Sequence, residues 1–109
     1  ISTYLDSTDE ATKVVKKIES KYSDILTPLQ NGNCIDIVPQ GVNKAQGIYS
    51  LLKIVGAEYD DVIAVGDNIN DTHMIAEFRS YAMENAVDSI KDLADYIVSD
   101  ITEIFEKEL

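Results

Sequence analysis

Residues 62 to 65 read Val62-Ile63-Ala64-Val65, four apolar residues in a row, and the run stops abruptly on Gly66-Asp67-Asn68. A short, unbroken apolar run with helical periodicity on both sides reads as a strand buried on both faces, the kind found in parallel sheets covered by helices. That segment constrains the rest. Upstream of it, Ala45, Ile48, Leu51, Leu52 and Val55 fall on one face of a helix, and Gly56 is placed to end that helix. Downstream, a helix is expected to begin near Asn70. A strand over Ser80 to Met83, a helix carrying Val87, Ile90, Leu93 and Ala94, a strand at Tyr96-Ile97-Val98 and a last helix opened by Asp100-Ile101-Thr102-Glu103 follow. This alternation implies an α/β fold: a parallel sheet with helices on both faces.

The N-terminal part follows a different pattern. Ile1 to Leu5 reads as a short strand. Ser7-Thr8-Asp9-Glu10 fits a capping box, with Ser7 as N-cap and Glu10 reaching back. Ala11, Val14, Val15, Ile18 and Tyr22 then share one helical face, with lysines and Glu19 on the other. Two strand-like runs, 25–30 and 34–38, flank Asn31-Gly32, a pair suited to a type I′ hairpin turn. Pro28 favours an edge position for the first of them. Pro39-Gln40-Gly41 reads as a linker, which places a domain boundary between residues 1–39 and residues 40–109.

Charge narrows the range of partners. The 109 residues carry a formal net charge of -11, which repels nucleic acid and anionic membranes. The same charge repels a phosphorylated substrate at long range, so a phosphate site here needs local positive charge. No stretch approaches the run of about 20 apolar residues that spans a bilayer. The single cysteine, Cys34, allows no internal disulfide and sits in an apolar strand pattern that suits packing. A cytoplasmic location is expected from this usage. The first residue is Ile1, so the sequence is expected to begin inside a longer protein or to have been processed.

Chemistry concentrates at the end of the apolar run. Open α/β sheets bind ligands at the C-terminal edge of their strands. There the segment Gly66-Asp67-Asn68-Ile69-Asn70-Asp71 delivers two carboxylates and carboxamides around one turn. Gly66 permits a close turn, and Asn70 is placed to cap the next helix. Carboxylate oxygens suit a hard cation such as Mg2+. Asp and Asn also punctuate ordinary strand–helix turns, so the pattern alone leaves both readings open. Gly41-Val42-Asn43-Lys44 opens the preceding helix with Asn43 as N-cap. Lys44 then falls in the first turn, where the helix dipole disfavours a cation unless an anion lies nearby.

Taken together the two elements resemble the third and fourth motifs of the haloacid dehalogenase superfamily, and most closely its Cof-type branch of sugar-phosphate phosphatases. The resemblance rests on Ile37-Val38-Pro39-Gln40-Gly41-Val42-Asn43-Lys44, on Gly66-Asp67-Asn68-Ile69-Asn70-Asp71 continuing through Met74-Ile75, on Ala82-Met83-Glu84-Asn85-Ala86, and on Ala94-Asp95-Tyr96-Ile97. It covers roughly residues 35 to 100. It implies a HAD-like Rossmannoid core, preceded over residues 1–39 by the end of an α/β cap domain. It also implies roles: Asp67 as ligand of Mg2+, Lys44 neutralising the phosphate and orienting the nucleophile, Asn70 contacting phosphate, and Asp71 supporting Lys44 or metal-bound water. The implied substrate is a small phosphorylated metabolite, hydrolysed through an aspartyl-phosphate intermediate.

One departure dominates. The family's first motif is D-x-D-x-[TV], and no two aspartates of this chain stand two positions apart. The second motif, a Ser or Thr after a strand, has no place here either. The nucleophile, the general acid and further contacts are therefore expected from the missing N-terminal part of the same protein, and the 109 residues alone are expected to be inactive. Two alternatives remain: a non-catalytic metal-binding or subunit-interaction module, and a fragment of a P-type ion pump's phosphorylation domain. An uncovered sheet edge beside residues 62–65 would also invite a homo-oligomer. Ala45, Glu84 and Phe78-Arg79 depart from family preferences, and Glu84 and Arg79 read as surface variation. His73 reads as an exposed helical residue, and Met74, Ile75 and Phe78 as core.

Overall fold

Ser7 starts the first helix. Its Oγ accepts the Glu10 N–H at 3.1 Å, while the Glu10 carboxylate reaches the N–H of Asp6 at 3.3 Å rather than that of Ser7. In the computed structural model, which describes residues 1–109, the chain divides into two units, Ile1–Val42 and Asn43–Leu109. The first holds strand β1 (Ser2–Tyr4), helix α1 (Thr8–Tyr22), β2 (Leu26–Asn31) and β3 (Cys34–Pro39). The strands form an antiparallel sheet in the order β1-β3-β2. Ala11 of α1 and Ile35 of β3 are fully buried, because α1 packs along one face of this sheet. Tyr22, expected on the apolar face, is instead 48% exposed in the helix's last turn. Pro28 sits on the edge strand β2, where its missing N–H costs no ladder bond.

The hairpin turn differs from the expected one. Asn31 pairs with Cys34, so the two central residues are Gly32 and Asn33 rather than Asn31 and Gly32. Gly32 has φ of 59° and no other kind of residue in the chain has positive φ. A type I′ turn needs positive φ at both central positions, so this turn has the sign pattern of type II′. Glycine supplies that conformation without a Cβ penalty.

In the second unit the elements alternate: α2 (Lys44–Val55), β4 (Ile63–Gly66), α3 (Thr72–Glu77), β5 (Arg79–Met83), α4 (Asp88–Leu93), β6 (Tyr96–Val98) and α5 (Thr102–Glu108). The three strands are parallel in the order β4-β5-β6, with Ala64 opposite Ser80, Gly66 opposite Ala82, and Tyr81 opposite Tyr96. Strand residues alternate between faces, and two apolar layers result. Ala64 and Ala82 join Ala45, Ile75, Phe78, Ala86 and Ile90 in one. Tyr81 and Val98 join Ile104 in the other, with Val65 and Met83 against it. The fold is α/β, built on a parallel sheet sandwiched by helices.

The sheet is narrow, and this corrects one expectation. Of the apolar face of α2 only Ala45 is buried, with Ile48 and Tyr49 partly covered. Leu51 is 56% exposed and Val55 61%, because three strands do not extend far enough to cover the whole stripe. Gly56 ends α2 as expected, with φ of 71° and its N–H donating to Leu52 O at 2.9 Å. Strand β4 is bonded only to β5, so it is an edge. Beside it an apolar groove of about 220 Å³ is lined mainly by Ile63, Val65, Ile101, Ile104, Phe105 and Leu109.

Candidate functional site

The site is built where β4 ends. Gly66 is buried as the strand's last residue. The chain then turns through Asp67 and Asn68 into a single turn of 3-10 helix, Ile69–Asp71, before α3 begins at Thr72. Asn68, not Asn70, is the cap. Its side-chain oxygen accepts the Ile69 N–H at 2.7 Å, and it exchanges a reciprocal capping pair with Asp71. Asn70 lies inside the turn, half-buried. The sequence offered two asparagines to this loop, and the one immediately ahead of the turn is the one geometry favours.

Asp71 organises the loop. It is 4% exposed, and both of its carboxylate oxygens are engaged. Oδ2 accepts the N–H groups of Asp67 at 3.0 Å and Asn68 at 3.2 Å. Oδ1 accepts a hydrogen bond from the ammonium of Lys44. Burial pushes the Asp71 carboxyl up, but the Lys44 hydrogen bond, the two N–H groups and the Lys44 charge together outweigh it and hold the carboxyl below its ordinary value. The close approach depends on Gly66. A Cβ at that position would stand 2.8 Å from the Asp71 Cβ and 2.9 Å from Oδ2, closer than real side chains come.

Lys44 enters from α2. Asn43 caps that helix by accepting the Gln46 N–H at 3.0 Å, which leaves Lys44 as its first residue. The cation in an unfavourable first turn is explained by Asp71, 27 positions away in sequence. The Lys44 side chain remains 48% exposed although its ammonium is bonded to the buried Asp71. Asp67 is exposed, and none of the loop's hydrogen bonds uses its carboxylate.

The structure thus brings Lys44 and Asp71 into direct contact, places Asp67 on the loop that Asp71 clamps, and leaves Asn70 inside the same turn. Two further contributors were not singled out for these roles in the sequence. One is Asn68 as cap. The other is Val87, whose N–H donates to the Asp67 carbonyl at 3.0 Å from the loop after β5. A backbone donor leaves no signature in side-chain identity. His73 lies on α3, exposed, and takes no part in the loop's bonds.

As a metal site the arrangement is partial. No three His, Cys, Asp or Glu side chains of this chain converge to enclose a cation. Asp71 is fully committed, so Asp67 is the one carboxylate of the loop left to bind a metal. An oxygen donor of this kind fits a hard cation that takes one or two carboxylates and keeps several waters.

Comparison with known proteins places these features in context. The family of haloacid dehalogenase-like hydrolases matches residues 1–103. The chain is 35% identical over 95 residues to the 5-amino-6-(5-phospho-D-ribitylamino)uracil phosphatase YbjI of Escherichia coli K12, covering 84% of this chain and 35% of that protein. It is 39% identical over 70 residues to a phosphoglycolate phosphatase of Methanothermobacter thermautotrophicus, covering 62% of this chain and 31% of the relative. Among solved structures, a HAD/COF-like hydrolase from Plasmodium vivax superimposes with a TM-score of 0.83 at 27% identity, covering 98% of this chain and 42% of that one. The chain spans about a third of the length of these two curated relatives. No helix is long and apolar enough to cross a membrane.

Proposed function

From the premise that the chain belongs to the family of haloacid dehalogenase-like hydrolases, we propose that it forms the C-terminal half-site of a Mg2+-dependent phosphatase acting on small phosphorylated metabolites of the sugar-phosphate type. The observation that carries this reading is the Lys44–Asp71 pair, whose aspartate also holds the N–H of the exposed Asp67 at the C-terminal end of a parallel strand. Lys44 presents a fixed positive charge to a phosphate group, because Asp71 restrains the ammonium without hiding it. That local charge offsets a surface of net charge -11 that would otherwise repel the substrate.

Phosphoryl transfer chiefly requires positioning and charge neutralisation, which these residues can provide. Asp67 would hold Mg2+ directly or through water. The bound cation would neutralise the phosphate oxygens as charge develops on them. Asn70 would contact the phosphate, and Asp71 keeps Lys44 and the Asp67 backbone in register. The aspartate that forms the phospho-enzyme, and the general acid, would come from polypeptide outside the 109 residues, since no D-x-D occurs within them. Residues 1–39 would be the end of a cap domain. A cytoplasmic location goes with this reading, as do the substrates in the names of the phosphatase relatives.

The test is an assay with p-nitrophenyl phosphate and Mg2+. The 109-residue chain alone should show no turnover above buffer. The same residues joined to an upstream segment carrying D-x-D-x-[TV] should turn over, and Lys44→Ala should lower kcat by roughly 100-fold or more. Turnover by the 109 residues alone, abolished in Asp67→Ala, would overturn the half-site reading. A folded longer protein without Mg2+-dependent activity on any phosphate ester would overturn the phosphatase reading.

A further inference from the structure

We infer that the loop after β5, residues 84–87, is a positioning element that fixes the backbone of Asp67 and so the direction of its Cα–Cβ bond, acting through the N–H of Val87. The inference rests on the reading of Asp67 as a cation ligand and adds the part of the chain that aims it. Asp67 is held by both polar groups of its own backbone. Its N–H donates to Asp71 Oδ2 at 3.0 Å, and its carbonyl accepts from Val87 at 3.0 Å. The first tie comes from the same loop. The second comes from another crossover, 20 positions on. With both peptide groups flanking Cα fixed, the Cα–Cβ direction of an exposed side chain is fixed as well. The backbone thus aims the Cα–Cβ bond of Asp67, and the carboxylate turns only about its own two side-chain torsions.

The strut that provides the second tie is itself rigid. Glu84 N–H donates to Val98 O at 2.8 Å, which binds the loop to the end of β6. Ala86 N–H donates back to Met83 O at 2.9 Å, and the Ala86 side chain is 6% exposed in the core beside Ile90. The Val87 carbonyl accepts from Ile90 at 3.0 Å and Lys91 at 3.2 Å, so the same residue also starts α4. Movement of the Val87 N–H therefore requires movement of both β6 contacts and α4. The site loop is braced against the sheet's interior and not only against itself.

Val87 has a conformation that makes a clean test possible. Its φ is -64° and ψ 149°, values that proline adopts without strain, and its side chain is 37% exposed. Val87→Pro deletes the N–H at a φ that proline shares, while Val87→Ala keeps the N–H and controls for the lost side chain. In the labelled 109-residue chain, a scalar coupling across the hydrogen bond from the Val87 nitrogen to the Asp67 carbonyl carbon should be seen by NMR. In Val87→Pro, amide exchange at Asp67 and Asn68 should accelerate about three- to tenfold, the range for one net hydrogen bond. The Mn2+ concentration at half-maximal paramagnetic broadening of Asp67 should rise by a similar factor. Val87→Ala should change neither. The inference is overturned if the coupling is absent, or if Val87→Pro leaves exchange and the Mn2+ midpoint at wild-type values with Ala64 and Ala82 still protected. Should Val87→Pro also unprotect Ala64 and Ala82, the wild-type coupling decides alone. Should Mn2+ leave Asp67 of the wild-type chain unbroadened, the 109 residues alone do not hold the cation, while coupling and exchange still decide the positioning role.

Discussion

At the residue scale, the candidate site depends on an atom that is not there. Gly66 has no Cβ, and Asp71 occupies the space where one would be. Gly66→Ala must displace either the strand end or the aspartate. The aspartate is the softer of the two, because the backbone of β4 is tied to β5. The expected outcome is loss of the Asp71 bonds to Lys44, Asp67 and Asn68 with the sheet retained. A crystal structure of Gly66→Ala with Asp71 still bonded to Lys44 would refute this. Asp71 also predicts a pH dependence. Its carboxyl is held below the ordinary value in the folded chain. The group therefore contributes stability that is fully present above the unfolded pKa, about 4. That contribution is lost as pH falls through the lower, folded-state pKa. In Asp71→Asn, unfolding curves measured by urea should flatten over this acidic window relative to wild type. Parallel profiles for the two proteins would show that ionisation of Asp71 carries no net stabilisation.

At the scale of elements, much was legible in the sequence because local signals and tertiary fate agreed. The apolar run at β4 became a parallel strand. Met74, Ile75 and Phe78 became wholly or partly buried, and Gly56 ended α2. Signals that failed were those a distant part of the chain decides. The hairpin's central residues depend on strand register, which composition does not specify, so Gly32-Asn33 took the turn. The stripe on α2 was read as core, yet Leu51 and Val55 are exposed, since periodicity reports an apolar face and not what covers it. In the candidate site, the motifs singled out Asp67, Asn70, Asp71 and Lys44, and the fold puts the first three on one loop with Lys44 bonded to Asp71. The resemblance also implied that Asp71 supports Lys44, and the two are in contact across 27 positions; the two N–H groups that Asp71 accepts were not foreseen, because backbone donors leave no mark in residue identity. Helix α5 shows how a short element is held. Ile104 is 5% exposed under Tyr81 and Val98, and Glu108 accepts hydrogen bonds from the Tyr81 hydroxyl and, at 2.6 Å, from Arg79. Ile104→Ala removes the apolar anchor and should lower unfolding free energy by about 2–5 kcal/mol. A loss under about 1 kcal/mol in urea titration would mean that α5 is not part of the cooperative unit.

At the scale of the whole molecule, the free edge of β4 is the feature that its own residues leave unprotected. Native sheets shield edges with lysine, proline, bulges or a covering element. The segment Ile63–Gly66 carries none of the first two, and Ile63 is 38% exposed. The groove alongside adds Ile101 and Phe105, 52% and 57% exposed, and its one charged group, Glu108, is engaged by Arg79. In the isolated 109-residue chain a second copy is expected to fill this edge. Sedimentation from about 1 µM to about 1 mM should show reversible self-association. The net charge of -11 on each copy opposes that contact, so added salt should strengthen association by screening the repulsion. A contact dominated by surface ion pairs would show the opposite salt dependence. Ile63→Lys places a charge on the edge and should return the chain to a monomer with its circular dichroism unchanged. A wild-type chain that sediments as a folded monomer throughout, or an Ile63→Lys variant that associates as strongly as wild type, would remove β4 as the surface responsible.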